Sequence, residues 1–138
     1  MGLYKLYKLD ISVTTGIALI DGQHNELFEN FNNVFKALAL AKETQEMLLI
    51  LEAMDACVKH HLSTEEDLML KNNYSKYAPH KNAHIRFLEN IVAIKEQTKR
   101  NGVTSNLAQM VKETIGDWFL DHIRIMDMQY VPFLKDKV

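Results

Sequence analysis

The chain has 138 residues, 47% hydrophobic and 25% charged, with a formal net charge of −2. That is enough for one domain with a real core and too little for two, and the interspersed charges mark no nucleic-acid or polyanion partner. Cys57 is the only cysteine, which excludes an intrachain disulfide and a thiolate metal cage and leaves it as a small buried thiol.

Along the chain, residues 1–20 read as an extended arm. Leu3, Tyr4, Lys5, Leu6, Tyr7, Lys8 and Leu9 alternate in part, and residues 10–16 are rich in Thr, Ser and β-branched types. No adequate apolar run follows Lys5 and Lys8, so a signal peptide is not indicated. No apolar stretch approaches the ~20 residues of a membrane span, so the expectation is a soluble, cytoplasmic protein.

Four helical stripes follow within residues 21–130. The first opens at Asp21, read as its N-cap, and carries Leu27, Phe28, Phe31, Val34, Phe35 and Leu38 at steps of three and four. The second starts near Thr44, read as a cap, and places Met47, Leu51, Met54, Val58, His61, Glu65 and Met69 on one face before Asn72-Asn73. The third begins near Pro79, which a first helical turn tolerates, and ends at the C-cap signal Asn101-Gly102. The fourth opens after Thr104 or Ser105 and carries Leu107, Val111, Ile115, Phe119, His122 and Ile123, with Pro132 marking the tail. Short loops predict an all-α, up-down-up-down antiparallel four-helix bundle, in a single domain over 1–138.

Five of the six histidines extend these apolar faces. His24 precedes the first stripe by one turn. His61 pairs with Glu65, and His80 with His84, at a spacing that puts both members on one helix face. His122 and Asp127 are five apart, about 140° around an ideal helix, so they need different rotamers or a local distortion. In an up-down-up-down bundle all seven residues fall at one end. Imidazoles and carboxylates are costly to bury unless paired or bound to metal, so the convergence predicts a metal site.

Seven donors are too many for a four-coordinate structural zinc. The Glu-x-x-His pattern of ferritin-like di-iron proteins is absent, as is His-Glu-x-x-His. Five imidazole nitrogens, two bridging carboxylates and a bridging oxo or hydroxo group would leave one position open on a pair of octahedral ions. Mixed imidazole and carboxylate ligation fits iron, although affinity alone would admit zinc, manganese or copper.

Ile20-Asp21-Gly22-Gln23-His24, His61-Leu62-Ser63-Thr64-Glu65-Glu66, Tyr74 through His80 and His84 to Phe87, and Trp118-Phe119-Leu120-Asp121-His122 through Asp127 together resemble the hemerythrins. The likeness is strongest to single-domain bacteriohemerythrins. It implies two non-haem iron ions, oxo- or hydroxo-bridged, that bind dioxygen reversibly for storage, delivery or scavenging, without catalysis. It further implies that His80, His84 and His122 hold the coordinatively full iron. His24 and His61 would hold the iron with the vacancy, and Glu65 and Asp127 would bridge. Leu62 stands where the family commonly has Phe, and the arm has Tyr4 and Tyr7 where Trp is frequent.

Leu27, Phe28, Leu62, Met69, Trp118, Phe119 and Ile123 lie within a turn of these residues and are predicted to line the oxygen pocket. His60 sits about 100° from His61 and reads as solvent-facing; Glu66 reads as a solvated charge first, with a group behind a ligand or gating access as the alternative. An enzyme turning over peroxide or nitric oxide, and a sensor, remain the alternative uses of such a centre. Sensors usually carry an output domain for which the length leaves no room, and an oxygen-consuming protein partner stays open.

Overall fold

A computed structural model describes Tyr7 and residues 10–138; most of the alternating segment of the arm, Tyr4 included, lies outside the described residues. The architecture is the predicted four-helix bundle: three long helices and a fourth, interrupted rod, joined by short turns so that neighbours run antiparallel.

Helix α1 (Ala18–Ala39) starts three residues before the predicted cap. Ile17 holds the N-cap position without a side-chain bond. Asp21 instead reaches back from the first turn and accepts hydrogen bonds from the Thr15 N–H (2.8 Å), the Thr15 hydroxyl (2.7 Å) and the Gly16 N–H (3.0 Å). A carboxylate there also suits the positive end of the helix dipole. The arm therefore gives way to helix by Ala18, and within it Ile11–Val13 is a 3₁₀ turn capped by Asp10 rather than extended chain.

Helix α2 (Thr44–Lys71) has Glu43 at its N-cap, so Thr44 is its first helical residue and not its cap. Helix α3 (Tyr77–Asn101) carries Pro79 in its first turn, where the missing N–H would have no intrahelical partner anyway. Gly102 ends α3 at φ +72°, a conformation open to glycine.

The fourth rod begins with α4 (Ser105–Val111), whose Thr104 cap accepts the Leu107 N–H at 3.0 Å. Two π-helical segments, Lys112–Asp117 and Ile123–Asp127, flank α5 (Trp118–His122), and α6 (Met128–Leu134) follows. Pro132 lies inside α6 instead of marking a tail. Tyr130 and Leu134, each 1% exposed, pack against Ile17, Ile20, Met69 and Tyr74; that burial outweighs the proline's helix-breaking preference.

Two apolar clusters result. The larger fills the bundle with Leu27, Phe28, Phe31, Met54, Leu62, Phe87, Phe119 and Ile123 among others, and the smaller holds Ile17, Ile20, Met69, Tyr74, Tyr130 and Leu134. His24 lies between Ile20 and Leu27 on α1, Glu65 between Leu62 and Met69 on α2, and Asp127 between Ile123 and Tyr130 on the fourth rod. The polar layer is thus sealed by apolar packing along the chain on both sides.

Tyr7 anchors the arm to the larger cluster. Its N–H donates to Asn32 Oδ1 (2.7 Å) and its carbonyl accepts from Asn32 Nδ2 (2.8 Å). Its ring packs on Phe28, Phe31 and Phe35, and its hydroxyl, which donates to Asp117, occupies the space a Cβ on Gly116 would need.

Candidate metal centre

Helical spacing explains why α2 and α3 present their paired groups inward. His61 and Glu65, like His80 and His84, are four apart on unbroken α-helix and project from one face. The fourth rod solves the harder case by changing its helix. From Ile123 to Asp127 it is π-helical, and the Met128 N–H donates to the Ile123 carbonyl five residues back. Five-residue repeats come into register in such a turn, which brings Asp127 under His122 despite the five-residue spacing.

All seven predicted ligands meet and are buried, none more than 4% exposed. Their donor atoms form two overlapping groups, Glu65, His80, His84, His122 and Asp127 on one side and His24, His61, Glu65 and Asp127 on the other. The carboxylates divide their oxygens between them. Glu65 Oε2 faces His61 Nε2 (3.2 Å) and His24 Nε2 (3.7 Å), whereas Oε1 faces His84 Nε2 (3.2 Å) and His80 Nε2 (3.8 Å). Asp127 Oδ2 faces His24 Nε2 (3.2 Å), and Oδ1 faces His80 Nε2 (3.0 Å) and His122 Nε2 (3.1 Å).

Proximity here is not hydrogen bonding. All five Nε2 atoms, Glu65 Oε1 and both Asp127 oxygens are buried with no hydrogen-bond partner. Orphaned buried groups of this kind are strongly unfavourable. Lone pairs converging from opposite sides on shared centres are what a pair of cations requires, and the donor set of imidazole and carboxylate fits iron.

Outer contacts hold several of these groups. With Nε2 facing inward, His61 donates its Nδ1–H to Gln23 Oε1 (2.7 Å), and Gln23 in turn donates to Thr64 Oγ1 (3.2 Å). His84 Nδ1 meets Glu66 Oε2 at 2.8 Å, and Lys81 donates to Glu66 Oε1 at 3.1 Å. Glu66 therefore takes the second of its two predicted roles, a group behind a ligand and not a solvated charge, because α3 packs across α2 at that point. His60 is exposed, as expected.

Tyr130 is absent from the predicted set, and Gln23 enters it only as a motif neighbour. The Tyr130 hydroxyl donates to Glu65 Oε2 at 2.6 Å, and its ring stacks on His80 at 5.7 Å. Burial and then the Glu65 and Asp127 charges push its pKa well above the usual value, so it remains a donor. The position of Tyr130, three residues beyond Asp127, is the one sequence signal that pointed inward. Tyr130→Phe is expected to weaken metal binding by roughly 10–100-fold, the usual cost of losing a partner behind a ligand, measured by competition with a chromophoric chelator.

Of the predicted pocket residues, Leu27, Phe28, Leu62, Phe119 and Ile123 are fully buried in the larger cluster. The Phe119 ring lies nearly perpendicular to those of His24 (5.6 Å) and His61 (6.1 Å) and stacks on that of His122 (6.2 Å). Met69 belongs to the smaller cluster, and half-buried Trp118 packs against the larger one, its ring stacked on Phe87 and on His122.

The electrostatics set a pH dependence. Burial lowers the pKa of His24 and His80, but the flanking Asp127 and Glu65 carboxylates outweigh it and raise both from 6.5 to about 9. Burial also opposes ionisation of Glu65, yet the imidazoles, His61 foremost, hold its carboxyl well below its usual range. Raised histidine values mean that the imidazolium forms stabilise the metal-free fold. That contribution is complete below about pH 6.5 and fades as pH climbs through about 9. Ligation needs neutral imidazole, so metal must expel these protons. Apparent affinity is expected to rise between about pH 6 and about pH 9, with proton release at neutrality detectable by calorimetry in buffers of different ionisation enthalpy. A flat profile would contradict it.

Comparison with known proteins agrees with this geometry. The family model described as the hemerythrin HHE cation binding domain matches residues 15–134. The chain is 27% identical over 124 residues to a myohemerythrin of Sipunculus nudus, covering 90% of each chain. It is 28% identical over 123 residues to a bacteriohemerythrin of Pseudomonas aeruginosa (strain LESB58), covering 89% of this chain and 78% of that one. A crystal structure of wild-type hemerythrin superposes with a TM-score of 0.79 at 24% identity, over 93% of this chain and 97% of the other, which shows the shared fold.

Proposed function

The chain belongs to the hemerythrin family, and on that premise we propose that it binds dioxygen reversibly at a non-haem di-iron centre held by His24, His61, Glu65, His80, His84, His122 and Asp127. One observation carries the reading: Glu65 and Asp127 each direct one oxygen to the three-histidine group and the other to the two-histidine group. Ferrous ions bound there would supply the electrons and the open coordination position that dioxygen needs. The protein's own contribution is orientation and exclusion. Gln23, Glu66 and Tyr130 fix His61, His84 and Glu65, and fixed outer contacts of this kind set ligand basicity and geometry.

Phe28 and Phe119, each no more than 1% exposed, keep water from the two-histidine side. The two-histidine group offers one imidazole fewer than the three-histidine group, which supports an open position on the ion that His24 and His61 would hold. An apolar wall that donates no proton favours release of bound oxygen over its reduction, which supports carriage rather than catalysis.

The test is metal analysis and visible absorption of the anaerobically reduced protein, before and after oxygen. A pair of irons per chain with a charge-transfer band that disappears on deoxygenation is the expected result. The same iron content with immediate, irreversible oxidation would overturn reversible carriage, and an iron-free protein would overturn the site.

A further inference from the structure

The groups behind the two halves of the centre differ in charge. With its Nε2 facing inward, His84 donates its Nδ1–H to a carboxylate, Glu66 Oε2 at 2.8 Å. His61, on the other half, donates its Nδ1–H to a neutral amide, Gln23 Oε1 at 2.7 Å, and Gln23 is tied in turn to Thr64. Both imidazole side chains are 1% exposed, so water replaces neither contact. Glu65 repeats the bias. Its Oε2, turned toward His24 and His61, accepts the Tyr130 hydroxyl at 2.6 Å. Its Oε1, turned toward His80 and His84, has no hydrogen-bond partner. All three contacts act in one direction: they enrich the three-histidine group in electron density and drain the two-histidine group.

We infer that Glu66, Gln23 and Tyr130 set the order in which the two ions are oxidised. The ion of His80, His84 and His122 yields the first electron, and the ion of His24 and His61 stays ferrous longer. The inference rests on the di-iron reading above and adds the order to it. A carboxylate behind a ligating imidazole raises its basicity, and a more basic ligand favours the ferric ion. An amide carbonyl does so less, because charge-assisted hydrogen bonds are roughly twice as strong as neutral ones. A hydrogen bond donated to a ligating carboxylate oxygen draws density away from the ion that oxygen faces. Lys81 moderates the first effect by donating to Glu66 Oε1 at 3.1 Å, but it is 45% exposed and screened by solvent. Such an order suits carriage. Oxygen uptake draws on both ions, the remote one giving its electron across the shared carboxylates, while weaker donation to the oxygen-facing ion favours release.

The experiment oxidises the ferrous-loaded protein stepwise and anaerobically with ferricyanide, following both steps by visible absorption and electron paramagnetic resonance. In each step one ferrous ion becomes ferric and one ferricyanide becomes ferrocyanide, and no bond in the protein breaks. Glu66→Gln keeps an acceptor for His84 but removes the charge, and is expected to raise the first potential more than the second. Lys81→Met frees the Glu66 charge and is expected to lower the first potential. Gln23→Glu places a carboxylate behind His61 and is expected to lower the second, bringing the two steps together. Each shift is expected to be on the order of tenfold in the ferric-to-ferrous ratio, ~59 mV for one electron. Zinc has no redox chemistry, so zinc-loaded protein reads the hydrogen bonds alone. There the His84 Nδ1 proton is expected downfield of that of His61 by nuclear magnetic resonance, and to move upfield in Glu66→Gln.

Opposite signs for Glu66→Gln and Lys81→Met separate tuning from structure, since a merely structural role would move both the same way. First potentials that stay at the wild-type value, or that move together, would overturn the order while leaving the oxygen-binding reading intact. If Glu66→Gln fails to hold iron, the direction of Lys81→Met decides. The expected order in a protein whose oxygen reaction is irreversible would support the inference and overturn carriage. A wild-type protein that holds no iron would overturn both readings together.

Discussion

Glu65→Ala is expected to abolish loading of the metal pair. The carboxylate is 1% exposed and faces histidines of both groups, so its loss removes a donor from each at once. It also strands the Tyr130 hydroxyl, which donates to Glu65 Oε2. Loss of an outer partner costs about 10–100-fold in metal affinity, and loss of a shared ligand should exceed that range. His60→Ala is the matched control, one residue from His61 but exposed, and iron content should not change. Elemental analysis after loading reads both. Full loading of Glu65→Ala, or iron loss in His60→Ala, would refute the assignment.

Metal removal should produce the largest change in stability. Without cations, Asp127 and Glu65 remain ionised and buried beside imidazoles that meet them without hydrogen-bond geometry. Binding that is confined to the folded state stabilises it by about 4 kcal/mol when free metal is 1,000-fold above its dissociation constant. For a domain of this size that is a rise in Tm on the order of 10 °C. Differential scanning calorimetry with and without a ferrous chelator measures it. Coincident transitions for the two forms would mean that the cluster is satisfied without metal. The metal-free protein should itself be least stable at the alkaline end, because the contribution of protonated His24 and His80 is lost as pH rises through about 9.

Most of the candidate site is readable from spacing. Pairs four apart must share an α-helical face, so His61 with Glu65 and His80 with His84 point together whatever else the chain does. His122 and Asp127 do not follow that rule, and their mismatch was itself the trace of the π-helical turn at Ile123–Asp127. Boundaries were harder. Asp21 and Thr44 have cap chemistry, yet Asp21 serves the loop before α1 and Thr44 is inside α2. Local side-chain preference cannot say which of several nearby N–H groups a short polar residue will meet. Pro132 misled for a related reason, since the burial that holds α6 comes from Ile17, Ile20 and Met69 far away in the chain.

By itself, then, the sequence determined the class of fold, the end of the bundle where the histidines gather, and the identity of the seven converging residues, because helical periodicity and short loops are local constraints. Only the tertiary structure decided which carboxylate oxygen faces which histidine, that Gln23 and Tyr130 stand behind the site, that Glu66 meets His84 instead of solvent alone, and that Trp118 stacks on Phe87 and His122 at the edge of the core. Those outcomes depend on the rotation of each helix about its axis and on contacts between residues up to 65 positions apart. No periodicity within one helix encodes them, because packing against the neighbouring helices sets that rotation.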